Sequence, residues 1–106
     1  MMGDGATVTL DLNNPVFQDN LFSLEKDERH QAVDTLRKIS RMTWQQVYSD
    51  KGLHWEKIHS VTPPKGIPAI YSLRINRSRR ATAYRDGNVM RFLTIAPDHD
   101  ATYGRK

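Results

Sequence analysis

The chain has 106 residues, of which 16 are Lys or Arg, 12 are Asp or Glu and none is Cys. That length suits a single domain spanning 1–106 with one hydrophobic core. The absence of cysteine excludes disulfides, thiolate metal sites and cysteine nucleophiles. No apolar run approaches the ~20 residues that cross a bilayer, and no apolar leader follows Met1, so a soluble cytoplasmic domain is expected.

The net charge of +4 conceals a split between the two halves. Residues 1–50 carry eight acids and five bases, a net of −3, whereas residues 51–106 carry eleven bases and four acids, a net of +7. Seven of those eleven bases are arginines, the side chain whose fork matches phosphate geometry. A basic half of this kind points to an anionic partner, nucleic acid or an acidic protein segment; a solvated strand face is the plain alternative.

In chain order, Ala6–Leu12 alternates, with Val8, Leu10 and Leu12 on one face, and reads as a half-buried strand. Asn13-Asn14-Pro15 stops it, and Asn14 as N-cap with Pro15 at the first helical position starts a helix whose face is Phe17, Leu21 and Leu24. From about Asp27 to Ser49 the pattern is helical: Val33, Leu36, Ile39 and Val47 form a stripe widened by Ala32, Trp44 and Tyr48, with Gly52 as the stop. Thr62-Pro63-Pro64-Lys65-Gly66-Ile67-Pro68 is a loop, because each proline removes a donor and restricts its predecessor. Beyond it the period becomes two. Ile70–Asn76 and Arg80–Arg85 read as strands, and Asp86-Gly87-Asn88 as a hairpin turn into Val89–Ala96. The expected architecture is α+β, a strand and a helical hairpin followed by an antiparallel three-strand meander.

Three groups of residues bear chemistry. The first is Arg74, Arg77, Arg79, Arg80, Arg85 and Arg91. By parity Arg74 faces away from Tyr71, Leu73 and Ile75, while Arg91 shares the parity of Val89, Leu93 and Ile95 and belongs near a strand end. The second is Asp98-His99-Asp100 with Tyr103. It is a poor metal site, since three or four ligands are required and no further ligand lies nearby in sequence. It serves better as an acid/base pair, with a carboxylate fixing the imidazole tautomer, and it also reads as a simple polar turn. The third is His54-Trp55-Glu56, where Trp55 anchors the core and His54 and Glu56 share a parity. For His54 and Glu56 the sequence does not decide a role, and lining a cleft beside the sheet is the functional reading.

Together these segments resemble the RelE/ParE superfamily of toxins from bacterial type II toxin–antitoxin systems. The resemblance spans about residues 15–104 and rests on Ile70–Ile75, Arg79–Arg85, Val89–Ile95, Asp98-His99-Asp100 and Tyr103. It implies a RelE-like βααβββ fold and a ribosome-dependent endoribonuclease that cleaves mRNA without a metal or small-molecule cofactor, through attack of the 2′-hydroxyl on the adjacent phosphate. It also implies a cognate antitoxin as protein partner, the ribosome and mRNA as targets, and no membrane partner. By position in the family pattern, Arg74 is the transition-state clamp, His99 the general acid or base, and Tyr103 the tail aromatic that stacks or assists proton transfer. Arg80, with Arg77, Arg79, Arg85 and Arg91, is then RNA-binding. The acids flanking His99 favour its protonated form. A ParE-like gyrase poison, or a toxin fold that only binds its partner, shares the scaffold without the nuclease residues.

Overall fold

Asn14 caps the first helix as its position demands: its side-chain oxygen accepts hydrogen bonds from the backbone N–H groups of Val16 and Phe17, at 2.8 and 3.4 Å. The computed structural model describes residues 3–96. Among these the order is β1 (Thr9–Asp11), α1 (Pro15–Phe22), α2 (Lys26–Ile39), α3 (Trp44–Ser49), β2 (Glu56–Lys57), β3 (Tyr71–Arg74), β4 (Arg80–Asp86) and β5 (Val89–Ile95). No helix of the described residues is long and apolar enough to cross a membrane.

The long helix expected over 27–49 is two. Its chain leaves helical geometry after Ile39, and Thr43 restarts it with a capping box. Gln46 N–H donates to the Thr43 hydroxyl at 3.2 Å, while the Gln46 side-chain oxygen accepts from Thr43 N–H at 2.9 Å. The break lets Met42 O accept from Val8 N–H at 2.9 Å, tying the helices to the first strand. It also turns the predicted stripe: Ala32, Leu36, Ile39, Trp44 and Val47 are buried, but Val33 and Tyr48 are 47% exposed. α3 ends at Ser49, before Gly52.

Among the described residues the sheet has five strands in the order β1-β5-β4-β3-β2. The expected antiparallel meander is present as β3-β4-β5, and two further pairings extend it: β1 lies parallel to β5, and β2 antiparallel to β3. Gly87, at φ 64°, takes the left-handed conformation that the tight β4–β5 turn requires. One register shift changes the faces. Thr82 pairs with Thr94 while Ala83 pairs with Phe92, so Leu93 is the extra residue of a bulge. As a result Met90, Phe92 and Ile95 all reach the core, and Arg91 does not share the parity of Ile95 that the sequence pattern gave it.

The core lies between the helices and one face of the sheet, where Phe17, Ile39, Trp44, Leu73, Ile75, Ala81, Ala83, Met90 and Phe92 are buried. Phe17 of α1 meets Phe92 of β5 at 5.0 Å between ring centroids. Trp55 closes one side, stacked on Tyr71 at 4.7 Å and edge-on to Trp44 at 5.5 Å. Its Nε1 is buried and finds no hydrogen-bond partner among the described residues.

Candidate functional site

Strand parity places the residues of interest. In β4 the buried residues are Ala81 and Ala83, so Arg80, Thr82 and Tyr84 point to the outer face, away from the core. In β3 Leu73 is buried, which sends Ser72 and Arg74 the same way. The register sets Arg74 opposite Arg80, Ser72 opposite Thr82, and Glu56 of β2 opposite Ser72. Two guanidinium-bearing positions therefore face each other across adjacent strands, an arrangement that like charges oppose and that an anion would relieve.

Arg80 is held by its neighbours. Its Nε and Nη2 donate to the Ser72 hydroxyl at 3.2 and 3.0 Å, and Nη2 also donates to the His54 carbonyl at 2.7 Å. The His54 ring lies 3.3 Å from a Glu56 carboxylate oxygen, with both side chains more than half exposed. Arg74 makes no side-chain hydrogen bond or ion pair with another described residue, and it lines a cleft of about 380 Å³ with Thr35, Lys38, Gly52, Leu53, Asn76 and Arg77. Arg77 is exposed and likewise makes no such bond.

The remaining arginines have internal partners. Arg79 Nε donates to Glu28 Oε1 at 2.9 Å, and its Nη2 pairs with the same oxygen at 2.9 Å. The turn before it is built on buried Asn76, whose side-chain oxygen accepts from the N–H groups of Ser78 and Arg79 at 3.0 Å. Arg85 donates to Asp4 at 2.8 Å and to the Tyr48 hydroxyl at 2.7 Å, with its guanidinium 4.4 Å from the Trp44 ring centre. Arg91 donates to Asp11 at 2.6 Å and to Asp86 at 3.0 Å. Burial alone would lower the Arg85 pKa, but bonds to Asp4 and Tyr48 raise it above its ordinary value. For Arg91 the bonds to Asp11 and Asp86 do the same.

The structure thus links Arg80, Ser72, His54 and Glu56, sets Arg74 opposite Arg80 in the strand register while its side chain lines the cleft with Thr35, Lys38 and Arg77, and puts Arg79, Arg85 and Arg91 into separate ion pairs. His99 and Tyr103 lie outside the described residues. The described chain ends beside the cluster, because Ala96 N–H donates to Arg80 O at 2.7 Å. Among the described residues no three His, Asp or Glu side chains converge as metal ligands would. A second group of cations was not legible in the charge split: Arg37, Lys38 and Arg41, from the acidic half, line a groove between α2 and α3 with Asp34 and Asp50. Lys38 also belongs to the Arg74–Arg77 cleft and pairs with Asp50 at 3.1 Å. Burial raises the Asp50 pKa, yet the Leu53 N–H and Lys38 outweigh it and hold that carboxyl below its ordinary 3.8.

No family model matches the chain, and no curated protein matches it by sequence. Its fold is that of a chain in the crystal structure of the archaeal RelE–RelB complex from Pyrococcus horikoshii OT3. The two share 16% identity and a TM-score of 0.63, over 95% of this chain and the whole of that one. The protein therefore has a RelE-like fold.

Proposed function

We propose that this protein is the toxin of a type II toxin–antitoxin pair and cleaves mRNA on the ribosome. The observation that carries the reading is the pairing of Arg74 with Arg80 across β3 and β4, on the outer face, on a RelE-like sheet. Transphosphorylation needs cationic donors where charge grows on the phosphorus centre. The 2′-oxygen attacks the neighbouring phosphorus while its proton passes to a base. The P–O5′ bond then breaks and O5′ takes a proton from an acid, leaving a 2′,3′-cyclic phosphate and a 5′-hydroxyl. Arg74 serves as the clamp on the developing charge and Arg80 binds the phosphate. His99 supplies one of the two proton transfers and Tyr103 supports it.

Arg77 extends the phosphate contact along the cleft. Arg79, Arg85 and Arg91 contribute less, since each would have to exchange an internal carboxylate for a phosphate. The RelE–RelB neighbour supports an antitoxin as the protein partner of this chain. Primer extension on mRNA-programmed ribosomes tests the reading: wild type produces defined cuts, and Arg74→Ala slows them by about a hundredfold or more, the usual cost of losing a transition-state donor.

The ion pairs that occupy Arg79, Arg85 and Arg91 favour a second reading, a ParE-like poison or partner-binding domain without nuclease activity. It predicts no cuts at all, with any growth arrest tracking DNA damage.

A further inference from the structure

Two clefts meet at one side chain. The groove between α2 and α3, of about 840 Å³, holds Arg37 and Arg41 with Asp34 and Asp50, and Lys38 lines both this groove and the cleft of Arg74 and Arg77. Arg37 stands in the last turn of α2, and Arg41 in the turn that leads to α3, its N–H donating to Lys38 O at 3.1 Å. Arg37, Arg41, Arg74 and Arg77 are exposed, and none makes a side-chain hydrogen bond or ion pair with another described residue. Lys38 and Asp50 neutralise each other at 3.1 Å. Among the described residues lining the two clefts, Asp34 is then the one carboxylate set against four guanidinium groups. The dipole at the end of α2 favours Arg37 and Lys38 there. It does not account for Arg74 and Arg77, which β3 and the turn after it bring alongside.

We infer that the two clefts form one track for the phosphodiester backbone of single-stranded RNA, running from Arg74 and Arg77 past Lys38 to Arg37 and Arg41. The guanidinium fork matches a phosphate, and a cation without an internal partner binds one without first releasing a carboxylate. The contrast within the molecule is direct, since Arg79, Arg85 and Arg91 are each held by Asp or Glu. The surroundings favour nucleic acid over a protein segment. Protein interfaces gather apolar and aromatic anchors, whereas the exposed large apolar side chains, Val16, Phe22, Val33, Tyr48 and Val61, line neither cleft. The track begins at Arg74, the proposed clamp on the reacting phosphate, so its ligand is the substrate strand flanking that phosphate. The identity of that strand rests on the proposed function; the run of unpartnered arginines does not.

The experiment is an anisotropy titration of the whole protein with a long labelled oligouridylate of about twelve nucleotides and a short one of about four. The double variant Arg37→Gln/Arg41→Gln removes two phosphate contacts. It should weaken binding of the long oligomer about 25-fold at about 0.1 M salt and make its salt slope shallower by about 1.4, at about 0.7 per contact. The short oligomer, which reaches only the arginines of the sheet side, should bind variant and wild type alike, with the slope of those arginines alone. Asp34→Asn should tighten binding of the long oligomer severalfold, a gain that a damaged fold does not produce. On programmed ribosomes the double variant should raise KM and leave kcat unchanged, because Arg74 still holds the reacting phosphate. No loss in the double variant, or an equal loss for both lengths, would overturn the inference. So would duplex RNA or polyglutamate of the same length that binds as tightly and loses as much, which would assign the groove to folded RNA or to an acidic protein segment. Wild type that binds the long oligomer as expected yet cuts nothing would contradict the proposed function and uphold the track.

Discussion

At the scale of single residues, charge does structural work before any functional work. Asp11 accepts from the Asn13 N–H at 2.9 Å and from Arg91 at 2.6 Å. The Asn13 backbone bond, then Arg91, outweighs desolvation and holds its carboxyl below 3.8, as the corresponding bonds do for Asp50. Carboxyls with folded pKa values below their unfolded value bind fewer protons in the native state. Their stabilisation is therefore fully present above the unfolded value near 3.8 and lost as pH falls through the folded value. Urea midpoints should hold between pH 7 and 5 and drop below pH 4, and Asp11→Asn should flatten that acid limb. Arg85 gives a second residue-level expectation. Stacked over Trp44 and bonded to Asp4 and Tyr48, it should cost about 2 kcal/mol of stability when changed to Ala, read by denaturant unfolding.

At the scale of elements, the Thr43 capping box is the joint between α2 and α3. Thr43→Ala should lower stability by about 1 kcal/mol, measured by thermal unfolding, because Gln46 N–H loses its acceptor. The joint shows how far local sequence carries. Thr43-Trp44-Gln45-Gln46 spells the cap, yet Leu36, Ile39, Trp44 and Val47 continue one apolar stripe without an obvious change of phase, so periodicity merges the helices. Asn14-Pro15 and Asp86-Gly87-Asn88 were legible because one backbone conformation dictates those residue types. The strands β3, β4 and β5 were legible because alternation repeats between turn signals. β1 alternates too, but nothing local says that it pairs in parallel with β5, and β2 is a two-residue strand set by its partner's edge. The bulge at Leu93 is another non-local fact, and it alone reassigns the face of Arg91. For the candidate site, parity set Arg74 on the face opposite Leu73, as in the structure, whereas the face of Arg80 was not read from the sequence. The bond from Arg80 to the His54 carbonyl depends on a left-handed residue that no local signal at position 54 announces.

At the scale of the whole molecule, the charge split between the halves becomes a set of cross-links. Arg79–Glu28, Arg85–Asp4 and Arg91–Asp11 each join the basic half to the acidic half. The charge asymmetry is therefore partly consumed in holding the sheet to the N-terminal segment and α2. This bears on RNA binding through its salt dependence. Contacts from Arg74, Arg77 and Arg80 alone give a slope of log K against log salt of about −2 for a single strand, and all six arginines would give about −4. Anisotropy titrations of a labelled oligoribonucleotide should show the shallower slope.

The most direct measurement is inducible expression in bacteria of the wild type beside Arg74→Ala and His99→Ala, with mRNA 5′ ends mapped as growth is followed. Growth arrest with new, codon-phased cuts that vanish in both variants is the result expected of a ribosome-dependent nuclease working on this face. Cuts that persist in both variants would place the chemistry elsewhere, and arrest without any cuts would contradict the nuclease reading outright.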